Sequence, residues 1–347
     1  MSQFPKTLLE TFHFRKIHPL IGIGTASDRY AGWIGQIYSH DRYQGRITKR
    51  TKIIAGRTFA EEVLPVDSVE EYFEHFSVLE IDFTFYRPLL DHDGQPTQNY
   101  QVLKAYGLHL KDGDRVILKV PQLITAQKFH RGDQHIKNEA YLNPGIFTKQ
   151  FYEPAINLLG ASLTGFIFEQ EYQRKEDRAP VNAMAEALNK FFSQIPSDPR
   201  YHLELRTDLY LRGQVFEVLA KHGVGQVLSH WTWLPPLRKQ LAKADGRFFN
   251  AGKECVIRLM TPLGMRYEDA YAKAHPFDRL VEGMMAPEMV LETAEIVKTA
   301  SEKGMLVSLI INNRAGGNAP LMAQKIAAKF LGKPKSETPH QMNLWDS

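Results

Sequence analysis

Cysteine is nearly missing from this chain: Cys255 is the single one in 347 residues. No intrachain disulfide can form, which suits a reducing compartment. Long apolar runs are missing too. No stretch of about 18 apolar residues occurs, so no membrane span is expected. The opening MSQFPKTLLE has neither a basic nor an apolar segment of the kind a signal peptide needs, and a cytoplasmic location is expected. Charge of one sign is not in excess. Lysine and arginine number 43 against 39 acidic residues, a net charge of +4, which by itself calls for no nucleic-acid or membrane partner. No serine stands in a G-x-S-x-G elbow, and Cys255 lies early in its strand, so a nucleophilic triad is not expected. Histidines number 13, but His130 and His135, five apart, match no zinc spacing. No cofactor is predicted. A divalent ion has one conceivable site, built across strands from Glu80, Asp82, Glu204 and His230. There is no internal repeat and no long low-complexity linker.

Eight short runs rich in Val, Ile and Phe recur along the chain, at 20–27, 78–84, 115–122, 164–170, 201–207, 225–231, 254–260 and 305–312. Their length and composition suit strands. The segments between read as helices. Residues 180–195, 287–304 and 319–332 each carry proline near the first turn, and the last two end on glycine, the usual start and stop signals. Ser68 with Glu71 has the spacing of a capping box. Eight strands alternating with helices predict an α/β fold, a (β/α)8 TIM-type barrel in a single domain over 1–332, with enlarged loops after strands one and three at about 28–67 and 123–146. An open doubly wound sheet is the alternative. The polar tail 333–347 is expected to be mobile, with Trp345 a docking point.

The run VLEIDFTFYRP, residues 78–88, raises the question of function. As a strand it puts Glu80, Asp82 and Thr84 on one face and Leu79, Ile81 and Phe83 on the other. In a barrel the polar set faces inward. The same parity places His202, Glu204 and Arg206 inward, Lys119 with Ile117, and Arg258 with Val256 and Met260. Strand four ends in Glu169 and Gln170, strand six in His230 and strand eight in Asn312 and Asn313. In a barrel these ends converge. Two readings follow: a structural lattice of buried ion pairs, or a pocket for a polar or anionic small molecule. On the second, Glu80 or Glu204 is the acid or base and Lys119 stabilises charge or forms a Schiff base. Arg206 and Arg258 bind the anion, and Thr84, Tyr86, Asn312 and Asn313 orient it. Gly316 and Gly317, just before a helix, could hold phosphate through backbone N–H groups. The basic stretch RITKRTK, 46–52, with Tyr30, Trp33, Tyr38 and Tyr43 nearby, offers a different class of function, a non-enzymatic nucleotide or nucleic-acid binder. A metal-dependent hydrolase or isomerase is a third.

Several of these pieces resemble the YecE-like family, a domain of unknown function (family 72), over roughly 20–331. They are IGIGTAS with YAGWIGQIY, FSVLEIDFTFYR, VILKVPQLIT, HLELRT, VIRLM and INNRAGGNAP. The resemblance implies a TIM-type barrel and carries no assigned activity. Two stretches depart from the family's pattern: Ser27, Asp28, Arg29 and Tyr30 stand where it usually reads Gly-Trp-Ser-Tyr, and Glu169, Gln170 and Glu171 follow Phe168 without the usual proline.

Overall fold

A computed structural model describes residues 6–131 and 134–332. The side chains of His130 and His135, and the tail 333–347 with Trp345, lie outside the described residues. The strands, in chain order, are β1 (Ile21–Ala26), β2 (Thr48–Ile54), β3 (Arg57–Val63), β4 (Val78–Ile81), β5 (Arg115–Lys119), β6 (Lys128–Arg131) and β7 (Gln134–Lys137). They continue as β8 (Leu163–Glu169), β9 (Tyr201–Glu204), β10 (Gly225–Gln226), β11 (Leu228–His230), β12 (Glu254–Leu259) and β13 (Leu306–Ile311). Nine of them form one parallel sheet in the order β10-β9-β8-β5-β4-β1-β13-β12-β11. Its two outer members, β10 and β11, are halves of one segment interrupted at Val227, whose N–H donates to Leu203 O. The ends of the sheet therefore meet, and the strands enclose an α/β barrel of the TIM type. The predicted sixth strand, 225–231, is this interrupted one.

Alternation along each strand builds the interior in layers. Val78, Ile117, Ile167, Val227, Val256 and Ile310 make a buried apolar layer inside the barrel. Their outward neighbours Leu79, Leu118, Phe166, Leu203, Ile257 and Leu309 join the larger core under the helices. Beneath the apolar layer, toward the strand starts, Arg115 donates to Glu254 (2.6 Å) and Ser308 (2.8 Å). Strand β1 turns Gly22, Gly24 and Ala26 inward, and Gly24 has a strict reason. A Cβ there would stand 1.7 Å from Val78 O on the neighbouring strand. Gly24→Ala is therefore expected to cost about 1–3 kcal/mol by forcing β1 and β4 apart, read as a lower urea midpoint with an unchanged m-value.

The outer helices follow the expected signals. Val181–Gln194 buries Met184, Leu188, Phe191 and Phe192 along one stripe, and Pro287–Glu302 and Ala319–Leu331 carry proline in the first turn as predicted. Three local expectations change. Ser68 makes no capping bond, because Val66–Ser68 is already a 3-10 turn leading into the helix, and Glu71 accepts from Ser39 instead. Gln98–Gly107 and Tyr267–Ala274 are further helices. The strand expected over 78–84 stops at Ile81, and Phe83–Phe85 is a 3-10 turn. The enlarged loops contain antiparallel hairpins, β2–β3 after β1 and β6–β7 after β5. No helix among the described residues is long and apolar enough to cross a membrane.

Candidate active site

The strand ends carry their charges into one cluster. Arg258, fully buried on β12, grips Glu80 with two bonds, Nε to Oε2 (2.7 Å) and Nη2 to Oε1 (2.6 Å). Its Nη1 reaches Glu169 Oε2 at 3.0 Å and also donates to Glu204 Oε2. Glu169 Oε2 is shared further, with Lys119 Nζ at 2.7 Å and Arg206 Nη2 at 2.8 Å. Arg206 Nε lies 3.3 Å from Glu204 Oε1. Three carboxylates thus balance three cations inside the barrel. This balance makes their burial tolerable, since an isolated buried charge costs several kcal/mol.

The environment divides the carboxyls. Burial pushes Glu80 up, against the pull of Arg258. Glu169 is equally buried, yet Arg206, Lys119 and Arg258 together hold it well below the ordinary value of 4.5. The neighbouring carboxylates in turn raise Arg258 well above its ordinary value.

Above the cluster opens a cavity of about 1140 Å³. Its floor includes Glu80, Lys119, Glu169, Arg206, Arg258 and Trp231; Asp28, Asp82, Tyr86 and Arg314 stand in its walls. The β2–β3 hairpin contributes another wall, and Tyr271 OH donates to Glu61 of that hairpin. Aromatic faces cover the two floor cations that are not fully enclosed. Lys119 Nζ lies 4.0 Å from the Phe85 ring centre, and the Arg206 guanidinium 4.7 Å from that of Trp231.

The structure brings together Glu80, Lys119, Glu204, Arg206 and Arg258, although Glu204 lies under the floor rather than in it. Tyr86 lines the cavity wall. The others predicted with them are engaged elsewhere. Thr84, just beyond the strand, donates to Lys119 O at 2.7 Å. Asn312 accepts from Arg314 N, and Asn313 from Trp33 Nε1 and Ala319 N. The N–H groups of Gly316 and Gly317 already donate to Asn313 O, and a Cβ on Gly317 would meet Arg279 O at 2.3 Å, so these two glycines offer a phosphate neither a free N–H nor an open approach. The conceived metal set does not converge: Glu80 and Glu204 hold Arg258, and His230 Nδ1 faces Thr261 O.

The basic stretch also changes character. Lys49 and Arg50 sit on β2 opposite Glu62 and Glu61 of β3 and pair with them, Lys52 pairs with Glu61, and Arg46 pairs with Asp67. Trp33, Tyr38 and Tyr43 are buried core rather than a surface for stacking bases. Glu169, at the centre of the cluster, is among the converging strand ends expected from the sequence but carries no assigned role there, although its parity with Ile167 marks it as inward. Asp28, Arg314 and Trp231 lie beyond strand ends, where alternation gives no direction.

A family model described as "Protein of unknown function DUF72" matches residues 22–343. The chain belongs to the DUF72 family. Solved DUF72 structures agree in fold. One from Enterococcus faecalis is 15% identical, with 90% of this chain and 96% of that chain covered and a TM-score of 0.51. One from Thermotoga maritima is 14% identical, with coverages of 90% and 100% and a TM-score of 0.51. No curated protein matches. The YecE-like resemblance of the sequence motifs accords with this DUF72 membership.

Proposed function

We propose that this barrel is an enzyme acting on a small anionic metabolite, phosphorylated ones included, at the C-terminal mouth of the strands. One observation carries the reading. Lys119 and Arg206 meet at a single carboxylate oxygen of Glu169 and both reach the cavity floor. Arg258, at the floor but with no exposed surface, neutralises Glu80 and Glu204. The buried layer therefore acts as a support, and the two upper cations are aimed at whatever enters. Held in place before a ligand arrives, such donors stabilise negative charge that develops in a reaction, with no cost of reorganisation. Phe85 and Trp231, which also line the cavity, pack their rings against these two cations. Electrostatic stabilisation is the part of catalysis this floor supports; both oxygens of Glu80 are committed to Arg258.

The test is direct binding of inorganic sulfate and phosphate by calorimetry, with Lys119→Met beside the wild type. Lys119 loss is expected to weaken binding about tenfold or more, the value of a charge-assisted hydrogen bond. Equal affinity in a folded K119M variant would remove Lys119 from the site.

A further inference from the structure

Two polar atoms of the cavity-lining residues are buried and have no hydrogen-bond partner among the described residues: Asp28 Oδ2 and Arg314 Nε. A buried, unmatched donor and acceptor each cost free energy, and a ligand in the cavity that meets both removes that cost. Asp28 is only 3% exposed. Its other oxygen accepts from Tyr106 OH at 2.7 Å, which holds the side chain, and its backbone carbonyl accepts from Tyr38 OH at 2.8 Å, which holds the main chain. The residue before it, Ser27, holds φ at +68°, a conformation that costs a non-glycine residue energy and that clusters at functional positions. Ser27 Oγ in turn donates to Asp82 at 2.7 Å, fixing a second carboxylate beside the first. Arg314 makes no ion pair among the described residues, and its guanidinium lies 4.4 Å from the Tyr267 ring centre. Asp82, Arg314, Tyr30 and Tyr86 all line this cavity.

We propose that Asp28 and Arg314 are the unassigned half of the ligand site, and that the ligand is a small anion carrying a free hydroxyl, with Arg314 joining Lys119 and Arg206 on the anionic group and Asp28 Oδ2 accepting from the hydroxyl. This rests on the anion-site reading above and narrows its substrate class. Burial raises Asp28 to about 6, opposed by Tyr106 and Arg29 and supported by Asp82. Tyr38 and Tyr72 also face it. Its carboxylate form, the stronger acceptor, therefore fills in as pH rises through about 6.

The experiment is calorimetric titration of the full chain with inorganic sulfate and with glucose 6-sulfate, whose charges stay constant over this range. The wild type is expected to bind the sugar sulfate more tightly than sulfate, and more tightly still as pH rises through about 6. Asp28→Asn is expected to weaken the sugar sulfate about tenfold, to leave sulfate unchanged and to abolish the pH dependence. Arg314→Met is expected to weaken both probes. If D28N does not fold, the wild-type pH profile alone decides: a flat profile overturns the Asp28 contact. Unchanged affinities in folded D28N and R314M overturn the proposal. If K119M then still loses sulfate binding, the anion-site reading stands without it. A wild type that binds neither probe overturns both.

Discussion

Arg258→Met is expected to lose about 3–5 kcal/mol of stability at neutral pH, the loss that follows when one partner of a buried ion pair is removed. Arg258 bonds both oxygens of Glu80, and it also serves Glu169 and Glu204. Methionine fills similar length but leaves Glu80 without a cation partner in the barrel interior. The loss has a pH signature. Burial already raises Glu80 with Arg258 present, and without the guanidinium the main opposition to that rise is gone, leaving the weaker pull of Lys119. A carboxyl whose folded value is raised contributes stability that is present below its unfolded value, near 4.5, and lost as pH rises through the folded one. The gap between R258M and wild type should therefore be small near pH 4.5 and widen toward neutrality. Urea unfolding at a series of pH values measures it. A gap independent of pH would mean that the carboxylates find water or another partner.

The layered interior explains how much of this was legible in the chain. Side-chain parity along a strand is set by the backbone, so Glu80, Lys119, Glu204 and Arg258 could be assigned to one face from sequence alone, and the structure gathers them at one level of the barrel. Parity fails where the strand ends. Thr84 shares the parity of Glu80, but the chain turns at Asp82 and sends the Thr84 hydroxyl to Lys119 O. The basic run 46–52 could not be read as paired, because its acids lie on a strand joined by a turn that the sequence reading missed. Asp28 is the extreme case. Its place in the cavity depends on the left-handed backbone of Ser27 and on Tyr106, which is far along the chain. Local pattern holds no record of either.

Glu169→Gln separates the lattice reading from the pocket reading, because the two expect opposite consequences at different instruments. As a structural member, Glu169 holds three cations through one oxygen, and its loss leaves Lys119 without an ion-pair partner among the described residues and the cluster with one positive charge in excess. Stability is expected to fall by about 3 kcal/mol. Because Glu169 is held far below its ordinary value, its contribution is present above 4.5 and is lost only as pH falls through that low folded value. The variant should therefore be deficient across the neutral range and converge on the wild type only in strong acid. As a floor residue, however, Glu169 competes with any anion for Lys119 and Arg206. Its neutral replacement frees Lys119 and leaves Arg206, among the described residues, only its ion pair with Glu204, and sulfate affinity is expected to rise about tenfold, the value of one charge-assisted bond. Ligand bound only to the folded state adds stability in proportion to its affinity, so saturating sulfate should raise the melting temperature of E169Q more than that of the wild type. A variant that is both less stable and a weaker anion binder would instead show that Glu169 positions the cations. A variant that is less stable with sulfate affinity unchanged would leave the cluster as a structural lattice.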